Sequence, residues 1–228
     1  MTDSKQNLET DAGTRLNARL QAVENADSAQ SMLDAVEALA ELKDEGAIGM
    51  LIRVLGYNNP GAAVAAVDGL IQIGTPAASA LLNQIDGYNY GARAWALRVL
   101  AGIGDPRGLD LILETAAEDF SLSVRRAAAR GLGSIQWEQL SSAERLGAQE
   151  KARDTLLGIV CADPEWVVRY AAVAGLQGVA MAAVNEGYEA LLVPIAECLR
   201  SRIHQDETLA VRARADLAMS YLASWSTE

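Results

Sequence analysis

One phenylalanine, one histidine, two cysteines and five prolines occur in 228 residues, and basic side chains are outnumbered by acidic ones, 19 to 30. Each shortage excludes something. The one histidine, His204, lies in the polar stretch 201–207 and reads as a surface residue, not as a general base or metal ligand. No HExxH, CxxC, nucleophile-elbow or P-loop pattern is present. Gly102-Ile103-Gly104 reads as a helix end, because no strand precedes it to make a phosphate-binding turn. The cysteines, Cys161 and Cys198, sit in Ala/Leu/Val-rich helical stretches and read as buried thiols of a reducing compartment, not as a disulfide. A formal net charge of −11 argues against a nucleic-acid face, since phosphate contacts need a basic surplus. A protein or a small ligand is the better partner. No apolar run approaches the roughly 20 residues that cross a bilayer. The N-terminal stretch MTDSKQNLETDAGTR is polar and acidic, without the pattern of a signal peptide, so a cytoplasmic location is expected.

What is present is apolar and small. Half of the chain is apolar, mostly as Ala, Leu and Val, which suits close-packed helices better than strands. Self-comparison then finds a repeat. Residues 64–76 (VAAVDGLIQIGTP) overlay 94–106 (AWALRVLAGIGDP) at an offset of 30, placing Leu70 on Leu100, Gly74 on Gly104 and Pro76 on Pro106. Further copies are 124–135 (VRRAAARGLGSI) and 168–179, with weaker ones at 33–42 and 211–221. A period in this range marks helix pairs that bury their apolar faces only against neighbouring pairs. In each middle copy a turn signal opens an amphipathic first helix. Gly74 and Gly104 close that helix, and a proline two residues on opens the second, over 77–85 and 108–117. Residues 136–151 are an insertion. The expected fold is all-α, a right-handed α-solenoid of HEAT-like (armadillo-type) repeats. Residues 1–15 are expected to be a disordered lead-in and 16–228 a single repeat domain.

The repeat sorts the residues that carry chemistry. Arg93, Arg125 and Arg169, with Arg212 in the last copy, occupy one register position near the start of the first helix. An arginine there often braces an aspartate or helix cap of the adjacent repeat, and Arg169 and Arg212 are read that way. Arg93, Arg125 and Arg126 differ, because aromatic and amide residues gather near them. The loops Tyr57-Asn58-Asn59 and Tyr88-Asn89-Tyr90 correspond at an offset of 31, one residue from the repeat's 30, and Trp95 follows the second. Aromatic faces can stack on a conjugated ligand and guanidinium groups can grip its carboxylates. Equally, Tyr and Asn can serve only to make turns and cover helix ends.

Three runs, GYNNPGAAVAAVDGLIQIG, YNYGARAWALRVLAGIGDPRGLDLILE and DFSLSVRRAAARGLGSIQW, together resemble the HEAT-like phycobilin lyases of cyanobacteria, most nearly the F-type subunits of the heterodimeric E/F lyases that act on the phycocyanin α-subunit. They span 56–137, a little over a third of the chain. The resemblance implies a lyase subunit, active with an E-type partner, that takes phycocyanobilin as substrate, holds no permanent cofactor or metal, and positions this open-chain tetrapyrrole for thioether attachment to a cysteine of the acceptor. It further implies that Arg93, Arg125 and Arg126 hold the propionates. Tyr88, Tyr90 and Trp95 would flank the rings, with Tyr57, Asn58 and Asn89 as further ligand-binding residues, and Asp68 or Asp119 would be the acid near the pyrrole nitrogens. Isomerising relatives carry a His-Cys pair in the loop that here reads Tyr57-Asn58-Asn59-Pro60-Gly61, so double-bond migration by that route is not expected. A relative that promotes phycobilisome degradation or bilin detachment, and a scaffold without bilin contact, are the alternatives.

Overall fold

The computed structural model describes the backbone of residues 2–83 and 90–225 and the side chains of residues 12–83 and 92–223. Among the described residues every regular element is an α-helix or a short 3-10 turn, in agreement with the all-α reading. The chain divides into two compact units, Met1–Val99 and Leu100–Glu228.

The first unit contains α1 (Thr2–Glu24), α2 (Ala29–Ala40), α3 (Ile48–Val54), α4 (Pro60–Ile73) and α5 (Thr75–Leu82), and α6 (Tyr90–Ile103) begins in it. The stretch expected to be an unstructured lead-in is helical from Thr2. It lacks an apolar period, but it also lacks proline and is built largely of residues that tolerate a helix. Local chemistry starts the other helices. Ser28 caps α2, its Oγ accepting from the Ser31 amide at 3.1 Å while the Ser28 amide donates to Ser31 Oγ. Asn59 caps α4, accepting from the Ala62 amide, and its Nδ2 donates to the Ala29 carbonyl at 2.9 Å, which ties two loops together. Gly74, at φ +80°, permits the sharp join from α4 to α5, a backbone region that side chains disfavour. Val36, Leu39, Leu51, Leu70 and Leu81 are fully buried between these helices.

The second unit contains α7 (Leu109–Glu118), α8 (Leu122–Gly131), α9 (Ser142–Ala162), α10 (Trp166–Glu186), α11 (Leu192–Gln205) and α12 (Leu209–Trp225). Helices α8, α10 and α12 lie side by side in one layer and α7, α9 and α11 in another, so each antiparallel pair stacks on the next. The insertion read at 136–151 becomes a 3-10 turn, Trp137–Gln139, and the first half of α9. Contrary to the sequence reading, one helix among the described residues is long and apolar enough to cross a membrane: α10. Its apolar residues, including Val168, Ala172, Val173, Leu176 and Val179, are covered by α8, α9 and α12, which makes it a core helix.

Two arginine–aspartate links join successive pairs of this unit. Arg125 Nε and Nη2 grip Asp163 at 2.8 and 3.2 Å, while Nη1 donates to the carbonyls of Asp119 and Phe120. Arg169 repeats the arrangement on Asp206 at 3.0 and 3.1 Å, with Nη1 on the carbonyls of Asp163 and Pro164. Asp163 and Asp206 also cap their own turns, accepting from the amides of Glu165 and Thr208. Arg212, expected in the same ladder, donates Nε to the Ile203 carbonyl. Close packing fixes the spacing elsewhere: a Cβ on Gly133 would stand 2.7 Å from the Gly175 carbonyl oxygen on α10.

Burial pushes the Asp206 carboxyl up, but the bonds from Arg169 and the Thr208 amide outweigh it and hold the group below the usual carboxylate range. Its contribution to stability is therefore complete above the unfolded-state pKa of about 4 and is lost as pH falls through the lower folded value. Asp206→Asn should cost on the order of 3 kcal/mol at pH 7, because it strips a buried guanidinium of its charge partner. Denaturant melts of the two proteins should converge as pH drops from about 5 to 2. A constant gap across that range would show that Asp206 is not charged in the fold. Independently, Gly133→Ala should lose about 1–3 kcal/mol by forcing the 3-10 turn Leu132–Ser134, which follows α8, away from α10.

Candidate functional site

Successive residues at the start of an inner helix point about 100° apart, and in the second unit this separates two kinds of arginine. Arg125 turns to the edge and joins the ladder; its Nε, Nη1 and Nη2 are all engaged there, and its side chain is only 13% exposed. It therefore makes the structural contacts read for Arg169. Arg126, one residue on, is exposed and faces the other way. With Arg130, one turn later, it lines a hollow of about 360 Å³ between α8, α10 and α12. The other walls are Trp166, Tyr170, Ala171 and Ala174 of α10, with Ala210 of α12. Trp166 and Tyr170 are 45% and 39% exposed, so both keep a face open to a ligand.

Charge makes this hollow unusual for so acidic a chain. Among the described residues neither Arg126 nor Arg130 forms an ion pair with a carboxylate. The sequence reading found Arg126 but missed Arg130, Trp166 and Tyr170. A signal was available: aligning Arg125 with Arg169 places Arg126 in register with Tyr170, and Arg126/Arg130 and Trp166/Tyr170 are both spaced by four, on one helix face each.

The remaining candidates are placed as follows. Tyr57 and Asn58 are exposed in the turn after α3, where the Tyr57 amide donates to the Val54 carbonyl. Arg93 and Trp95 are half-buried on α6, and the Arg98 guanidinium lies 4.7 Å from the centre of the Trp95 ring, covering one face. These four belong to the first unit. Tyr88, Asn89 and the Tyr90 side chain lie outside the described residues. Asp68 is an exposed carboxylate on α4, in a groove that it shares with Glu37 and Glu41. Asp119 stands at the C-terminus of α7, equivalent to Asp163 and Asp206, and accepts from the Ser121 amide at 2.8 Å. A turn cap explains Asp119 without a role as acid. Cys161 is exposed, against the expectation of a buried thiol; Cys198 is half-buried and its thiol is pushed up to about 12, chiefly by burial. Both are unbridged, and His204 is exposed on α11.

Comparison with known proteins bears on the same reading. The model of the HEAT repeats family matches residues 78–177. A phycobilisome maturation protein of Synechococcus elongatus is 56% identical over 89% of this chain and 96% of its own length. The phycocyanin alpha phycocyanobilin lyase CpcF of Synechocystis is 53% identical over 86% of this chain and 88% of its own. The chain belongs to the F-type phycobilin lyase subunits. Among solved structures, the complex of CpcE and CpcF of phycocyanin lyase from Nostoc contains a chain 48% identical to this F-type chain, with a TM-score of 0.69 over 77% of this chain and 99% of the other.

The two arginines of α8 should separate in a melt. Arg125→Leu strands Asp163 and two loop carbonyls and should lower stability by on the order of 2–3 kcal/mol, or roughly 5–10 °C in Tm. Arg126→Leu should shift Tm by no more than about 1–2 °C. Equal losses in thermal unfolding would contradict the division of roles.

Proposed function

We propose that this chain is the F-type subunit of a heterodimeric phycocyanobilin lyase, which with an E-type partner holds phycocyanobilin and presents it for thioether attachment to a cysteine of the phycocyanin α-subunit. The observation that carries the reading is the hollow on α8 and α10. It offers open cations for carboxylates and open aromatic faces for a conjugated chain, within a molecule of net charge −11.

The chemistry asks little more of the subunit. The acceptor thiolate adds to the ethylidene carbon of ring A, a proton is taken up at the adjoining ring carbon, and nothing leaves. The nucleophile belongs to the acceptor, so the lyase has to supply geometry: one face of ring A exposed, the rest of the tetrapyrrole held. Arg126 is the propionate contact that this reading supports best, and Asp68 is the exposed carboxylate of the earlier pair. The last helices also expose apolar surface, with Val193 at 60%, Leu209 at 74% and Leu217 at 50%, which suits a chain whose terminal repeat is covered by another subunit.

Co-expression with a bilin source, an E-type subunit and a phycocyanin α-subunit should yield covalently pigmented, fluorescent acceptor, and the two lyase chains should co-elute on size exclusion. Acceptor that gains no pigment, or loses pigment it already carries, would remove the attachment reading. Arg126→Leu should leave co-elution unchanged while bilin affinity falls roughly ten- to a hundredfold, the value of one charge-assisted bond.

A further inference from the structure

The insertion that interrupts the repeat carries polar side chains on the face it turns inward. Along α9, Arg145, Gln149, Ala152 and Leu156 recur at intervals of four, three and four, and the last three are fully buried. Two contacts fix the register of this face on the antiparallel α10. Arg145 Nη1 pairs with Glu186 Oε1 at 3.2 Å, and a Cβ on Gly175 would stand 3.0 Å from a methyl carbon of Leu156. Four residues after Arg145 on α9 therefore correspond to four before Glu186 on α10, which sets Gln149 opposite Ala182 and Ala183. The buried amide faces methyl groups, and neither its Oε1 nor its Nε2 has a hydrogen-bond partner in the protein. Three more groups around Arg145 share that condition: its own Nε, Glu186 Oε2 and the indole Nε1 of Trp137, which is 3% exposed. Trp137 belongs to the turn whose Glu138 and Leu140 carbonyls accept from Arg145 Nη2 at 3.4 and 3.0 Å.

Unpaired buried donors and acceptors are costly, and this chain pairs its other buried ions, as at Arg169 and Asp206. The groups themselves define the ligand that would complete them. Gln149 Nε2, Arg145 Nε and Trp137 Nε1 donate, while Gln149 Oε1 and Glu186 Oε2 accept. An anion would serve only the donors and a metal ion only the acceptors. A small neutral molecule that donates and accepts serves both. We propose that α9, α10 and the Trp137 turn enclose an internal water-binding site, in which ordered water bridges the Gln149 amide to the Arg145–Glu186 pair beneath the Trp137 indole. One water accepts twice and donates twice, so these groups call for about two. The Arg145 and Glu186 side chains are 22% and 18% exposed, which leaves this side as the route of exchange with solvent. The bridge fastens the insertion to the C-terminal end of α10, the helix whose other end carries Trp166 and Tyr170.

The test is oxygen-17 magnetic relaxation dispersion on the full chain, wild type and Gln149→Met, with thermal unfolding of both. Methionine fills nearly the same volume without the amide's donor and acceptor. Wild type should show long-lived internal water, and the variant should lose the share of about one or two molecules. Its Tm should fall by roughly 2–6 °C, because Arg145 Nε and Glu186 Oε2 lose their bridge. An unchanged dispersion overturns the proposal, the more plainly if Tm rises, since that is the result of removing an amide that had no partner at all. A wild-type crystal structure at high resolution is the second measurement, and it decides alone if Gln149→Met does not fold. Water density within about 3.2 Å of both the Gln149 amide and Glu186 Oε2 supports the site. Side chains bonded directly to one another there, with no water between them, overturn it.

Discussion

Each of two inner helices in the second unit begins beside a guanidinium that performs two tasks at once. Through Nη1 it satisfies the carbonyls of its own entry turn, and through Nε and Nη2 it grips the aspartate of the next repeat. That aspartate in turn caps the following loop. The interfaces between pairs are otherwise Ala, Leu and Val, and apolar packing is non-directional, so it favours contact without choosing a register. A bidentate ion pair is directional. The ladder is the part of the structure that sets how one pair is placed on the next, and it does so at the edge.

Function depends on that placement. Because the ladder holds residue 125 or 169 at the edge, the helical rotation carries residue 126 or 170 onto the inner layer, so register fixes what lines the hollow. A repeat with arginine at the second position supplies a cation, and one with tyrosine supplies a ring. Arg126 and Tyr170 are equivalent positions that line the same hollow. Varying one residue per repeat can thus change the ligand without touching the brace.

Most of the architecture was legible in the sequence because its determinants are local and periodic. The offset that overlays Gly74 on Gly104 located both helix ends, and both glycines have positive φ. Arg169 was recognised as a brace because only its register spoke. For Arg125 the nearby aromatics in the sequence suggested a ligand, and its bond to Asp163 was not legible, because that acceptor lies 38 residues away and no local pattern announces such a pair. Trp166 and Tyr170 were missed for a related reason. In a repeat helix an aromatic residue reads as core, and whether it is covered depends on the bulk of the neighbouring helix, here the small Ala210 of α12. The N-terminal stretch failed differently: amphipathic periodicity reports burial, so a helix without a buried stripe gives no such signal.

An acidic chain that binds an anion faces opposing demands over different distances. The net charge of −11 repels a dicarboxylate at long range, and salt screens that repulsion beyond about 10 Å. Inside the hollow Arg126 and Arg130 lack a carboxylate partner, so attraction there is local and short-ranged. A carrier that must surrender its cargo gains from this combination.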